Sequence, residues 1–558
     1  MQGPRELGAD EAVALLVGLH LWLLVGGTFC ANALLLWARH PSPALAFGCA
    51  VALAVTGHVI ASRRWLPVGR RSQSLLSVAI SLFAVGLSLS LALFFFDISC
   101  DGPAYHEPAI LQLASGWNPF RDAPLDDAVY ENIWSNHYPK ASWNVGAAAL
   151  ALLGKIEAGK AQGLILVFAS AALVHSAARA RQWRPRRSAL AAFLLSFNPV
   201  CLYQSQSFYV DGLLACAMVS TVAIVLMLRG RPRAFGLLGL LFVVVVYGAN
   251  LKFTGLVYLG LLLAGSVLAL LLERSSSWAA LAVSASLALA AAVLVFGNNP
   301  YITNWATRGH PFHPLEGPAD QRIDVMKSQA SDRFLAKNRI SKLLIAHLSR
   351  ATNDTTSDPT LKLPFTVSAR ELRAFHSTDV RIGGFGPLFA LAVLLGLAGA
   401  AAHFSSLRGD GVPWTQWLSR GVLLGCLTLL GTILVNPEAW WARYAPQIWW
   451  IPCGIGLALL SARSQTARRL GWSVVTVLAL NLLLVGGSYF SHQVAETRAI
   501  DAQLRALSGE RGTVSLLQPQ PSAQRRLLEA GLEVRETAVP CGKPIGLHGL
   551  PTEICPVP

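Results

Sequence analysis

The sequence predicts an all-α polytopic membrane protein with long outer-face loops and a small C-terminal α/β appendage. Its 558 residues are 53% hydrophobic and only 13% charged, against roughly a quarter charged in soluble domains. The apolar residues gather into stretches long enough to cross a bilayer, and the arginines gather into short clusters between them. That placement explains the net charge of +15 without nucleic acid as a partner.

A helix rises about 1.5 Å per residue and the hydrocarbon core is about 30 Å thick, so a span needs roughly twenty apolar residues. Thirteen spans are expected: Ala12 to Trp37, Ala44 to Ala61, Leu75 to Phe96, Ala161 to Ala178, Ala189 to Tyr203, Gly212 to Leu228 and Phe235 to Ala249; then Leu256 to Leu272, Ala279 to Phe296, Phe385 to Phe404, Trp417 to Leu434, Gln447 to Ser461 and Trp472 to Phe490. The first lacks a basic leader and a small-residue cleavage site, so it reads as a retained helix rather than a signal peptide. The apolar run Phe235 to Leu272 would be roughly 55 Å long as one helix, so it should fold back near Gly248, Asn250, Lys252 and Gly255. Trp143 to Gly154 is too short to span and is expected to be interfacial or re-entrant.

With that segment demoted, the clusters Arg63, Arg64, Arg70 and Arg71, Arg179 to Arg187, Arg229 to Arg233, and Arg463 to Arg469 all fall on one side, the side expected for cytoplasm. The N-terminus joins them. The outer side receives loops 97–142 and 297–384 and the tail, which divides the chain into a membrane domain at 1–490 and an extracytoplasmic domain at 491–558. In the tail, helical stretches at Thr497 to Leu507 and Ser522 to Ala530 alternate with strand-like Thr513 to Leu517 and Leu532 to Val539. Cys541 and Cys555 form a disulfide if the tail meets an oxidising compartment. There is no internal repeat, P-loop, GxGxxG turn or CxxC pair.

The first outer loop is an acidic, aromatic mouth. Asp97 and Asp101 follow Phe94, Phe95 and Phe96 at the membrane edge, where desolvation tunes a carboxylate; solvated helix-end residues would look the same. Arg443, in Trp-Trp-Ala-Arg-Tyr444, and Lys252 lie at outer helix ends, where a cation meets an anionic lipid head; an aromatic-belt anchor and a snorkelling lysine are the bland alternatives. Trp305, in Asn-Pro-Tyr-Ile-Thr-Asn-Trp, either stacks on a sugar or belongs to an interfacial aromatic cluster. His106, His137, His310 and His313 have no zinc-site spacing.

The stretch Asp101-Gly-Pro-Ala-Tyr105-His106-Glu107-Pro108-Ala109, continuing through Leu113, Gly116 and Pro119, resembles the first outer loop of GT-C glycosyltransferases. His137-Tyr138-Pro139-Lys140 looks like that superfamily's Pro-containing juxtamembrane stretch, and Asp211, after Asn198-Pro199, is similar to its second-loop acidic residue. Thirteen spans with an outer tail resemble the branch holding protein O-mannosyltransferases and lipid A aminoarabinose transferases. The usual Asp-Glu pair is Asp101-Gly102 here, leaving His106 and Glu107 as candidates to replace the glutamate, and two additional helices precede the core.

The resemblance implies transfer of a sugar from a polyprenyl-phosphate carrier to a cell-envelope glycan, glycolipid or protein, at the outer face of a bacterial cytoplasmic membrane. Asp101 is then the expected base, with Asp211 an auxiliary acid. Tyr105, His106, His137, Lys140, Lys252, Trp305, Arg443 and Tyr444 are the expected substrate contacts. No cofactor is firmly implied, and a divalent cation between Asp101 and Asp211 stays open. A lipid-glycan flippase or transporter, or a polysaccharide polymerase or ligase, shares the topology.

Overall fold

A computed structural model describes residues 7–66, 71–127, 129–231, 234–409, 420–511, 513–516, 520–536, 544–550 and 552–556. Its larger helices are α1 (Ala9–Trp37), α2 (Pro43–Trp65), α3 (Arg71–Phe94), α4 (Glu107–Ala114), α5 (Ala141–Leu153), α6 (Ala161–Ala180), α7 (Pro185–Ser196), α8 (Asp211–Leu228) and α9 (Phe235–Ala249). They continue as α10 (Phe253–Leu272), α11 (Trp278–Ala291), α12 (Arg339–Leu348), α13 (Phe389–Gly409), α14 (Arg420–Leu434), α15 (Trp450–Leu459), α16 (Gln465–Arg511) and α17 (Pro521–Glu529).

Among the described residues, nine helices are long and apolar enough to cross a membrane, built on α1, α2, α3, α6, α8, α10, α11, α13 and α16. The four other expected spans are shorter. Ala189 to Tyr203 is broken at Asn198-Pro199, where proline cannot continue α7 and Asn198 caps the next short helix through the Cys201 N–H. Helices α9 and α14 have 15 residues each, and α15 has 10 after a tight turn at Pro446–Trp449. The start of the expected span at Trp417 lies outside the described residues.

The most buried span is α8, whose surface is apolar all round, so it runs up the middle of the bundle and delivers Asp211 to the centre of one end. By contrast α2 and α3 bury little of their surface and turn large apolar side chains outward. The fold-back between α9 and α10 occurs at Asn250 to Lys252, as the length argument expects. Its two arms touch closely: a Cβ on Gly255 would meet the Gly248 carbonyl oxygen at 2.3 Å. Segment α5 is 13 residues, about 20 Å, short of a span, and stops where Gly154 turns left-handed at φ +66°.

Arginine contacts tie helix ends together at one end of the bundle. Arg179 at the end of α6 holds Asp10 at the start of α1 at 2.6 Å, Arg229 after α8 holds Glu273 after α10 at 2.8 Å, and Arg187 in α7 binds Ser461 and the Leu457 carbonyl after and within α15. Arg179, Arg187 and Arg229 therefore share one end. Asp101 after α3, Asp211 opening α8, Lys252 before α10 and Arg443 before α15 occupy the other.

Helix α16 runs 47 residues, about 70 Å, so more than half of it extends beyond a core about 30 Å thick. It passes unbroken through 490, and its far end carries the appendage. There β1 (Thr513–Leu516), β2 (Glu533–Glu536), β3 (Ile545–Gly546) and β4 (Glu553–Pro556) form a sheet in the order β2-β1-β4-β3, with β1 and β2 parallel through the crossover α17. Cys555 is disulfide-bonded, while Cys541 lies outside the described residues.

Candidate active site

Four chain segments meet at the loop end of α8. Asp211, its first residue, is buried with both carboxylate oxygens occupied: Lys252 Nζ lies 2.7 Å from Oδ1 and Gln204 Nε2 donates to Oδ2 at 3.1 Å. Gln204 also accepts from the Gly212 N–H at 2.9 Å, so the short helix after Asn198-Pro199 locks onto the start of α8. Lys252 escapes the apolar run around it only by breaking the helix, and its ammonium lies 3.8 Å from the Tyr444 ring centroid.

Arg443 is the hub. Its Nη1 is 3.4 Å from Asp101 Oδ2, and its Nε is 3.3 Å from Asp379 Oδ1 and 4.0 Å from Asp211 Oδ2. The guanidinium lies over the rings of Trp441, Tyr209 and Tyr444, at 4.6, 4.9 and 5.2 Å from their centroids. Burial opposes its charge, but Asp379 and the other acids outweigh that and hold its pKa above the ordinary value.

The three carboxylates differ in freedom. Asp101 is about a quarter exposed and, among the described residues, its carboxylate is touched at the long distances of Arg443 and of the Tyr105 hydroxyl, which donates at 3.3 Å. Asp211 is sealed. Asp379 is nearly buried, and burial, helped by Asp101 and opposed by Arg443, pushes its pKa up to about 6. Asp379 was not among the residues singled out from sequence. It lies ten residues before α13, inside the long outer loop, where no local pattern marks it.

Asp97, the nearest rival to Asp101, is fully buried and accepts from the backbone N–H groups of Ser99 at 2.7 Å and Phe208 at 3.0 Å. Its carboxylate ties the loop to the approach of α8 and faces no opening. It also explains the departure at Gly102. A Cβ there would sit 2.1 Å from Asp97 Oδ2, so neither glutamate nor alanine fits.

The structure separates the expected substrate contacts into those at this centre and those elsewhere. Lys252, Arg443, Tyr444 and Tyr105 belong to it. His106 lies beside it but is buried, and its Nδ1 accepts from the Trp143 indole at 2.6 Å; burial lowers its pKa to about 4, so the ring is neutral with the proton on Nε2. Glu107 is buried toward the appendage near Arg526, and burial raises its pKa to about 8.

His137 instead bonds Asn304 at 2.7 Å and meets the His313 ring. Lys140 is buried between Trp117 and Trp143, donates to the carbonyls of Asn136 and Tyr138, and has no carboxylate partner among the described residues. It pins the turn before α5. Trp305 is mostly exposed on the short helix Thr303–Arg308, as an interfacial aromatic would be.

A divalent cation does not fit between Asp101 and Asp211. The Arg443 guanidinium stands there, and both Asp211 oxygens already serve Lys252 and Gln204. Among the described residues no group of three or more acidic, histidine or cysteine ligands converges.

Beyond the Tyr444 ring opens a cavity of about 550 Å³ whose walls include Thr254, Arg322, Lys342, Asn436, Glu438 and Tyr444. Tyr444 is therefore a shared wall, with the Lys252 ammonium at its ring and the cavity against it. Tyr258 and Asn436 hold it there by donating to its carbonyl at 2.6 and 3.3 Å.

No protein-family model matches the chain, and none of the curated proteins matches it. Among solved structures the chain is similar to ArnT from Cupriavidus metallidurans in the apo state, at 13% identity and a TM-score of 0.41, over 84% of this chain and 86% of that one. It is similar also to ArnT from the same organism bound to undecaprenyl phosphate, at 14% identity and a TM-score of 0.40, over 82% and 85%.

Proposed function

We propose that this chain is a membrane glycosyltransferase that moves a sugar from a polyprenyl-phosphate carrier to a hydroxyl of an envelope glycan, glycolipid or protein. The observation that carries the reading is the convergence of Asp101, Asp211, Lys252 and Arg443, from four distant segments, on one end of a bundle of spanning helices. Such a transfer needs a base for the acceptor proton and cations for the leaving phosphate, placed where a lipid head can reach them.

Asp101 is the base. It is the one carboxylate of the three with an open side, and the Tyr105 hydroxyl fixes its orientation. The acceptor oxygen attacks the anomeric carbon as its proton passes to Asp101, the bond from that carbon to the phosphate oxygen breaks, and the configuration inverts. The polyprenyl phosphate that leaves carries the electron pair, and Arg443 and Lys252 stabilise it. Asp211 is a positioning residue that holds both cations in place before the lipid arrives, so little reorganisation is needed during transfer.

Phosphate must compete with carboxylates for Arg443. Asp101 yields most easily, because its contact is long and its side chain partly exposed. Donor binding at Arg443 therefore frees the Asp101 carboxylate to act as base.

A transporter has one observation in its favour: inside three spans His20 bonds Ser81 at 2.9 Å and His58 at 2.8 Å, and His58 bonds Ser74 at 2.7 Å. The test is binding of a polyprenyl phosphate to purified wild type and Arg443→Lys, with His20→Gln alongside. The transferase reading expects affinity to fall with Arg443→Lys, which keeps the charge but loses the planar fork, and to hold with His20→Gln. Equal binding by Arg443→Lys and wild type removes Arg443 from the phosphate site.

A further inference from the structure

Within the outer loop 297–384 one surface has its polarity inside out. Along residues 361–367, which include a turn closed by the Thr366 N–H on the Leu363 carbonyl, the side chains of Leu361, Leu363, Phe365 and Val367 are exposed. Lys362, between the first two, turns inward onto Glu371 at 2.6 Å, with both side chains only 3% exposed. Helix α12 repeats the inversion. Ile340, Leu344 and Leu348, four residues apart and so on one stripe, face out, while Lys342 faces in toward Glu438 at 3.2 Å and the wall of the cavity.

The two elements form one surface: the Lys362 N–H donates to the Leu348 carbonyl, and Ser349 pairs with Leu361 in an antiparallel bridge. Its seven apolar side chains are between 37% and 63% exposed. In water an alternating segment turns its apolar side in; the opposite order is the pattern of a surface whose solvent is lipid.

Two further features identify the occupant. Lys337, Arg339, Arg350 and Arg370, all exposed, flank the surface with charges complementary to lipid phosphate. His347, on α12, packs on Phe385 and Phe389, the entrance to the span at α13, so the surface lies beside a point where the chain leaves the membrane.

We propose that α12 and residues 361–367 rest in the outer leaflet of the bilayer, apolar face down, and that lipid is what covers them. The cavity behind Lys342 then opens at the level of the lipid heads.

The experiment places a photo-reactive phenylalanine analogue at Leu344, at Phe365 and, as a control, at exposed Glu553 on the appendage sheet, in the full chain expressed in cells, followed by irradiation and mass spectrometry. Adducts with phospholipid should exceed those at Glu553 by about tenfold at both loop positions, since only buried interfacial side chains meet acyl chains. Protein adducts at Leu344 and Phe365 would replace lipid with a protein partner and overturn the proposal. Lipid adducts no more frequent than at Glu553 would overturn it as well. Because the probes sit at exposed positions, size-exclusion elution like wild type checks that the fold is kept.

Discussion

Lys252 Nζ lies 2.7 Å from Asp211 Oδ1 with both side chains more than nine-tenths buried, although 41 residues separate them in the chain. Each charge is tolerable there only because the other is present. The α9–α10 fold-back and the top of the central helix are thereby joined at the centre proposed for phosphate.

Breaking that pair should cost stability before it costs chemistry. Lys252→Met leaves Asp211 buried without its principal partner, and the protein should lose about 3 to 5 kcal/mol of stability. Adding Asp211→Leu should return most of that loss but none of the sugar transfer. Denaturation in detergent micelles beside a transfer assay separates the two effects. A double variant that regains transfer would show that neither residue serves the reaction.

Gly102 should tolerate no side chain. Asp97 cannot retreat from a new Cβ without abandoning its bonds to the Ser99 and Phe208 N–H groups. Gly102→Ala is expected to destabilise by about 1 to 3 kcal/mol, the usual range for overpacking, and Gly102→Glu by more. Thermal unfolding measured by intrinsic fluorescence tests this, and an unchanged midpoint for Gly102→Ala would contradict it.

Asp379 predicts a pH dependence. Its folded pKa of about 6 lies above the ordinary 3.8, so between these values the folded chain binds more protons than the unfolded one. Stability contributed at this residue is therefore present below about pH 4 and lost as pH rises through 6. Ionised Asp379 is also a third carboxylate competing with phosphate for Arg443. The KM for donor should rise as pH passes 6 in wild type, and Asp379→Asn should flatten that rise. Identical profiles would remove Asp379 from the donor site.

The appendage should loosen when Arg526 is changed. From α17 this buried guanidinium donates to the Asp97 carbonyl at 3.1 Å and to Glu157 at 3.2 Å, while Ser522 donates to the Pro103 carbonyl at 2.9 Å, at the foot of the Asp101 loop. Arg526→Gln should speed limited proteolysis near the end of α16 and lower transfer several-fold, because the loop carrying Asp101 loses its brace. Unchanged cleavage would mean the contacts hold nothing in place.

Much of this arrangement was legible in the sequence because it depends on length and apolarity. The fold-back at Asn250 follows from a run too long for one span, and the ends of apolar runs mark Asp101, Asp211, Lys252 and Arg443. Other features were hidden because they are settled by tertiary contact. Nothing local distinguishes Asp97, spent on two backbone amides, from Asp101, or shows that Lys140 binds carbonyls of its own loop and His137 binds Asn304 in the other outer loop. Asp379 sits in a long loop without periodicity. Helix α16 passes residue 490 because Ser491 to Glu496 contains no glycine or proline, and a helix continuing into water loses its apolar signal without losing its backbone.

Asp101 is the proposed base for transfer from a polyprenyl-phosphate sugar. The direct measurement is mass spectrometry of envelope glycans and polyprenyl-phosphate sugars in cells carrying Asp101→Asn at wild-type protein levels. One sugar should vanish from the glycan while its polyprenyl-phosphate form accumulates. Glycans and carrier lipids indistinguishable from wild type would contradict it.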